Sequence, residues 1–303
     1  MNSRILRADF LLFVTAVIWG FAFVAQRVGM DHVGPFTFNG IRFALGALAL
    51  APLILHLERK RPTNHAPVDV RTLFTGGGLL GLALFCGATL QQVGLAGPQL
   101  AEFGLEGSTA GKAGFITGLY VIFVPIFGLF LAHRAGRGTW IGACLAVVGM
   151  YLLSVTADLT VSFGDLLVFV GALFWAGHVL LIAKLSPGMD AVDAIKLSTV
   201  QFAACSVISL VVAFFTENVT MTGLQGAAPA ILYGGLMSVG IAYTLQVIAQ
   251  RDAQPAHAAI ILSLEAVFGA VGGWLILDEH LTTRALIGCT LMLTGMIISQ
   301  LKP

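Results

Sequence analysis

Charge is scarce in this chain: 16 lysines and arginines and 15 acids among 303 residues, against 57% hydrophobic residues. Soluble domains carry about 25% charged residues. So few charges cannot cover a water-facing surface, and lipid is the expected solvent for most of the chain. The formal net charge of +1 argues against a nucleic-acid binder, which would show a basic stripe or arm. Cysteine is sparse too. Cys86, Cys144, Cys205 and Cys289 each sit inside an apolar run, where they suit packing rather than a disulfide framework. The sequence has no H-E-x-x-H, no clustered His/Cys ligands and no G-x-S-x-G. "GSTAGKAG" at 107–114 resembles a phosphate loop, but three residues rather than four separate Gly107 from Gly111-Lys112, and Ala113 replaces the magnesium-binding hydroxyl. Neither an ATPase nor a metal or cofactor site is expected.

What is there is apolar sequence in long runs. Ten can be marked, at 9–28, 36–57, 72–94, 111–132, 138–156, 164–184, 194–215, 228–249, 256–277 and 283–301. They are continuous rather than alternating, so they read as membrane helices rather than barrel strands. The first follows Arg4 and Arg7 but shows no A-x-A cleavage pattern and recurs later in the chain, so it reads as a retained span. With both termini on the cytoplasmic side, the inner segments hold twelve lysines and arginines and the outer ones only Arg27, Lys112 and Arg284. That asymmetry is the positive-inside pattern.

The two halves, 1–157 and 158–303, resemble each other. "DFLLFVTAVIW" at 9–19 aligns with "DLLVFVGALFW" at 165–175, an offset of 156 that pairs Trp19 with Trp175. "TLQ" recurs at 89–91 and 244–246, and "IGACLAVVGM" at 141–150 recurs as "IGCTLMLTGM" at 287–296. The first half carries an additional outer segment, "GPQLAEFGLE" at 97–106. Five spans is an odd number, so the second copy enters the membrane inverted. Secondary transporters are built this way, with substrate held near the midplane between the repeats.

Several polar and aromatic residues sit inside these runs. Glu265 stands near the middle of "AHAAIILSLEAVFGAVGGWLIL" at 256–277. A charged acid at that depth costs a few kcal/mol in lipid, so its face should meet protein, with Gly269, Gly272 and Gly273 allowing another helix close. It is either a contact locking two helices or a substrate-amine or proton site. Its first-half counterpart, at offset 146, is Leu119. Trp19 and Trp175 lie mid-span, away from the interfaces tryptophan prefers; they wall a cavity or simply fill space. Arg42 either snorkels to the outer headgroups or offers a fork to a carboxylate, and Gln201 is its counterpart. His178, one turn from Trp175, faces the same cavity or makes a helix contact. Gln91 and Gln246 are symmetry-related, with Tyr243 one turn from Gln246; they orient a zwitterion or join helices. Lys112, opening the fourth run at the outer face, reads as a snorkelling residue rather than a binding one, and Glu102 and Glu106 read as solvated charges of the additional outer segment.

The stretches "AVIWGFAFVAQRVG" (16–29), "FNGIRFALGALAL" (38–50), "TAGKAGFITGLYVIFVPIFGLFL" (109–131) and above all 242–295 resemble the EamA-type members of the drug/metabolite transporter superfamily. The likeness runs over all ten runs. It implies an all-α membrane protein of two inverted five-helix repeats that exports or exchanges small metabolites, often amino acids, without ATP. It also implies a cavity between helices one, three, four, six, eight and nine. The family's L-x-E after the ninth helix appears as Leu277-Asp278-Glu279, with His133 at the first-half position. Ala266 stands where the family often has proline after the acid. The expected partners are a small-molecule substrate and the bilayer of the inner membrane; a coupling proton and the oligomeric state are left open. Two other classes stay in view: a membrane-embedded enzyme on lipid-linked substrates, and a non-transporting accessory or sensor protein.

Overall fold

The computed structural model describes residues 3–61, 68–108, 110–131, 135–154, 161–276 and 282–301, and every regular element among them is helical. The first half holds α1 (Ser3–Met30), α2 (Pro35–Arg59), α3 (Val70–Leu95), the short α4 (Gly97–Ala101), α5 (Ala110–Gly118), α6 (Tyr120–Phe130) and α7 (Arg137–Ser154). The second holds α8 (Phe163–Leu185), α9 (Ala191–Thr216), α10 (Met221–Leu232), a π-helix (Tyr233–Tyr243), α11 (Thr244–Ala249), α12 (Pro255–Leu262), α13 (Glu265–Ile276) and α14 (Thr283–Leu301). Eight helical stretches are long and apolar enough to cross a bilayer, while α7 and α14 contain the shorter apolar helices 137–152 and 283–299.

Local chemistry sets the helix starts. Pro35 and Pro255 occupy first turns, where the missing N–H costs nothing. Ser162 and Asp165 form a capping box on α8: the Ser162 hydroxyl accepts from the Asp165 N–H at 3.1 Å, and the Asp165 carboxylate accepts from the Ser162 N–H at 2.9 Å. Asp190 and Thr220 cap α9 and α10 in the same manner.

Three of the expected continuous helices are interrupted. In the fourth run, Leu119 separates α5 from α6. Its N–H donates to Ile116 at 3.2 Å and its carbonyl accepts from Ile122 at 3.0 Å, a turn tightened to i→i+3 spacing. Pro125 further on supplies no N–H to the ladder. In the ninth run the break falls at Ser263 and Leu264, immediately before Glu265. The Ser263 hydroxyl donates to the Ile260 carbonyl at 2.8 Å, competing with the backbone. Ala266, in place of the family proline, does not keep the helix continuous. The eighth run starts earlier than expected, at Met221, and passes through eleven residues of π-helix beyond Pro229. Those wide turns redirect carbonyls sideways.

Small residues let the helices meet. A Cβ on Gly20 of α1 would lie 2.3 Å from the Phe268 Cβ of α13, and one on Gly46 of α2 would lie 2.3 Å from Val239 of the π-helix. The longest pairings are α2 on α9, α3 on α8 and α7 on α14. In the last, Gly142 faces the Gly295 carbonyl and Gly149 faces the Gly288 carbonyl, with would-be Cβ distances of 2.6 Å and 2.5 Å. Such close backbone approach is how helices gain dispersion energy where lipid removes the hydrophobic drive.

Where α2 ends, half-buried Arg61 is part of a charged knot. Its guanidinium lies 2.7 Å from Asp193, 2.9 Å from Asp190 and 3.0 Å from Glu58, and Glu58 also pairs with Lys196. The Asp193 hydrogen bond raises the Arg61 pKa above its ordinary value. The knot ties the end of α2 to the start of α9.

Candidate functional site

A chamber of about 40 Å³ lies at mid-depth, room for a few waters. Trp19, Ala22, Phe23 and Gln26 of α1 form one wall, at the three- and four-residue spacing of a single helix face. Arg42 comes from α2, Gln91 from α3, Thr117 from α5 and Tyr120 from α6. Trp175 and Val179 come from α8, Ser238 and Tyr243 from the π-helix, Gln246 from α11, Leu262 from α12 and Glu265 from α13. The six helices expected to enclose a cavity all contribute, and α2 adds Arg42.

Tyr243 is the centre of the aromatic wall. Its ring lies 4.5 Å from that of Trp19 and 6.1 Å, stacked, from that of Trp175. Phe43 and Phe202 pack behind it at 6.1 Å and 5.9 Å. The indoles are anchored through their N–H groups. Trp19 Nε1 donates to the Ser238 carbonyl at 3.2 Å, a carbonyl inside the π-helix, and Trp175 Nε1 donates to Gln91 Oε1 at 3.0 Å. Each such bond contributes about 1 kcal/mol and holds the ring in one orientation.

The polar groups fall into two sets. Gln91 is engaged at both ends of its amide: its Oε1 accepts from Trp175 and from Thr117, the latter at 3.4 Å, and its Nε2 donates to Gln26 at 3.2 Å. Gln246 differs, since its Oε1 is buried with no hydrogen-bond partner. Glu265 begins α13, where the positive end of a helix favours an acid, and accepts a 3.4 Å hydrogen bond from the Tyr120 hydroxyl. One helix break falls at Leu119, directly before Tyr120, and the other at Ser263 and Leu264, directly before Glu265. The acid and the tyrosine that follows the other break meet across the chamber.

The structure separates several readings that the sequence left open. Arg42 does not snorkel outward. It is 3% exposed, its Nε donates to Asn39 Oδ1 at 3.0 Å, and its guanidinium lies over the rings of Phe43 and Phe38 at 4.9 Å and 5.4 Å. His178 is set behind the wall rather than in it. Its Nε2 bonds Gln201 Oε1 at 2.8 Å while the ring buttresses Trp175 and Tyr243 edge-on. Glu102 and Glu106 are exposed, as expected. The 97–106 segment is pinned at its far end, where the Ser108 N–H donates to the Gly94 carbonyl and the Gly164 N–H to the Glu106 carbonyl. The Lys112 side chain, His133 and Leu277-Asp278-Glu279 lie outside the described residues.

Gln26, Thr117, Tyr120 and Ser238 join the chamber without having been expected there. For Gln26 the signal was available, two turns along the α1 face from Trp19. For Ser238 it was not, because its carbonyl faces the chamber only through the π-helix.

A second, basic cavity of about 350 Å³ lies where α1 begins, lined by Arg4, Arg7 and Leu11 together with Arg251 and Asp252. Between it and the chamber the core is apolar: Leu12, Val179, Leu180, Ala249 and Leu262 pack together. There the Thr15 hydroxyl, within 2.9 Å of the Leu11 carbonyl of its own helix, also lies 3.2 Å from the Ala242 carbonyl, and its one proton is shared between them. Beside this layer His257 joins three helices, bonding Ser299 Oγ at 2.9 Å and Asp9 Oδ1 at 3.1 Å. All three residues are buried and line neither of these cavities, so the cluster is an interhelical contact rather than a nucleophilic site. No group of three or more metal-ligating side chains occurs among the described residues.

Comparisons with known proteins follow this geometry. The chain is 30% identical to an "Uncharacterized transporter" of Archaeoglobus fulgidus, over 98% of this chain and 87% of that one. It is 24% identical to a "Probable amino-acid metabolite efflux pump" of Salmonella typhimurium, over 96% and 93% of the two chains. A solved crystal structure shares the fold with a TM-score of 0.75 at 17% identity, over 97% of this chain and 96% of that one. The signature of the EamA-like transporter family matches residues 6–155 and 162–300. With its apolar helices packed around a polar mid-depth chamber, this multi-pass membrane protein belongs to the EamA-like transporter family.

Proposed function

We propose that the protein is a secondary transporter that exports or exchanges small metabolites such as amino acids, by alternating access and without ATP. The observation that carries this is the chamber itself. It gathers amide, hydroxyl, aromatic and charged groups from both halves of the chain at the depth where two helices break, and broken helices at the midplane are where transporters bind substrate. The proposed site residues are Trp19, Arg42, Gln91, Trp175, Tyr243, Gln246 and Glu265, with His178 positioning the aromatic pair from behind.

In this reading residues 1–157 and 158–303 are inverted copies. Two glycine contacts support it. Gly142 corresponds to Gly288 and Gly149 to Gly295, and the contact of Gly142 with Gly295 becomes that of Gly288 with Gly149 when the halves are exchanged. Antiparallel helices related in that manner have a two-fold axis across them. The basic cavity with Arg4, Arg7 and Arg251 then faces the cytoplasm, as do both termini, and the layer around Leu12 and Thr15 is the closed inner gate. At about 40 Å³ the chamber is too small for an amino acid, so loading requires the helices to part.

Counterflow in proteoliposomes tests the reading. Vesicles preloaded with an unlabelled amino acid should accumulate the labelled one transiently, with no ATP present. Uptake equal to that of empty liposomes across a panel of amino acids refutes it.

A further inference from the structure

Arg42 is buried among apolar rings, yet among the described residues no carboxylate pairs with it. Among the described residues its one hydrogen bond runs from Nε to Asn39, and the two terminal amino groups have none there, while the residue lines the chamber. The surroundings maintain the cation without neutralising it. Phe38 and Phe43 present ring faces to the guanidinium. Gly234 of the π-helix leaves room for the stem, since a Cβ there would stand 3.3 Å from Arg42 Cδ. An uncompensated guanidinium in such a place is costly. Its planar fork is the shape that receives a carboxylate through two parallel hydrogen bonds.

The charged side chains lining the chamber are Arg42 and Glu265. Glu265 is held only by the long contact from Tyr120, and Gln246 offers a buried oxygen with no donor. The chamber therefore carries a cationic pole, an anionic pole and a spare acceptor, with aromatic faces between them.

We infer that Arg42 is the carboxylate-reading residue of this chamber, so that the transported species are carboxylate-bearing zwitterions, docked with the carboxylate on Arg42 and the ammonium toward Glu265 and Gln246. This rests on the proposed transport function and narrows its substrate class. Neutral metabolites and plain amines leave the Arg42 fork unpaired and are rejected. Simple monocarboxylates satisfy Arg42 but leave the acid and the amide oxygen without a donor.

The experiment is competition against counterflow of a labelled amino acid. The competitors are the unlabelled amino acid, its carboxamide, the amine that lacks the carboxylate, and the carboxylic acid that lacks the amine. In the wild-type protein the unlabelled amino acid should compete about 10- to 100-fold better than its carboxamide or amine, the difference one charged hydrogen-bonding pair makes. Arg42→Gln should remove that preference, and Arg42→Lys, which keeps the charge but not the fork, should retain part of it. Each variant is checked for folding by its monodispersity and thermal unfolding in detergent. If Arg42→Gln folds but is inactive, partial preference in Arg42→Lys supports the inference and full preference refutes it. An Arg42→Gln protein that transports with the wild-type preference overturns it, leaving Arg42 a packing residue. Transport of the carboxamide or amine as readily as the amino acid by the wild type also overturns it. The absence of counterflow with every compound refutes instead the transport function on which it rests.

Discussion

Replacing Gly142 by alanine probes the α7–α14 seam directly. The new Cβ would stand 2.6 Å from the Gly295 carbonyl oxygen and 3.0 Å from the Ser299 Cβ. Comfortable contact between such atoms needs roughly 3.5 Å, so the helices must separate by a large part of an ångström. Overpacking of this kind costs about 1–3 kcal/mol, and in lipid the lost dispersion is not offset by a hydrophobic gain elsewhere. Gly295→Ala strikes the same contact from the other side, with its Cβ 2.6 Å from the Gly142 carbonyl, whereas Gly149→Ala strikes the other contact. Unfolding free energies in mixed micelles should therefore show a pattern. Gly142→Ala with Gly295→Ala should cost less than the sum of the two by about 0.5 kcal/mol or more, because one separation serves both. Gly142→Ala with Gly149→Ala, about 10 Å apart along α7, should come closer to additivity. None of the three glycines lines the chamber, so the KM for counterflow should hold within about twofold, as expected of changes remote from the site. Wild-type stability in Gly142→Ala, or full additivity across the shared contact, would refute the reasoning.

Three further perturbations bear on the site and its scaffold. Trp175→Phe keeps the ring but leaves Gln91 without its 3.0 Å donor; it should lower stability by about 1 kcal/mol and raise the counterflow KM more than it lowers the maximal rate. Arg61→Ala removes one partner of Asp193, whose side chain is 1% exposed and which still accepts from the Val68 N–H; the loss should be about 1–3 kcal/mol, measured by chemical unfolding. Because Arg61 is a base whose pKa is raised by folding, its contribution persists below the unfolded pKa and fades only as pH rises through the folded one. Folding raises a pKa that already lies far above this range, so the penalty of Arg61→Ala should be constant from about pH 6 to 9. Glu265→Gln retains the size of the side chain and a partner for Tyr120 but cannot take up a proton; if Glu265 carries a coupling proton, an imposed pH gradient should drive wild-type uptake and leave the variant unmoved. An unchanged response to the gradient in Glu265→Gln would remove Glu265 from the proton path.

Much of the architecture was readable in one dimension, because the constraint itself is one-dimensional. A run of about twenty apolar residues has few ways to satisfy its backbone in lipid, so the helices and their solvent followed from composition and length. The twin "IGACLAVVGM" and "IGCTLMLTGM" segments are likewise a likeness within the sequence, and the inverted repeat proposed from them is a reading of that likeness. Trp19, Gln91, Trp175, Tyr243, Gln246 and Glu265 could be singled out because polar and aromatic groups at mid-depth are costly unless a protein interior receives them. The chamber received all six.

Only the tertiary structure decided the rest, and the reason is that a side chain's environment depends on helix rotation and on local departures from helical spacing. His178 and Trp175 are one turn apart, yet one backs the wall and the other forms it. Arg42 could have reached the headgroups by length alone; its burial against Phe38 and Phe43 depends on how α2 meets the π-helix. The breaks at Leu119 and Ser263 come from competing side-chain and short-range backbone hydrogen bonds worth about 1 kcal/mol each, too small to outweigh the apolar pattern that marked both segments as continuous. The sequence by itself determined the solvent, the helices and the residue types of the site. Packing determined which face each helix presents, and so placed a lone guanidinium and an acid in one chamber.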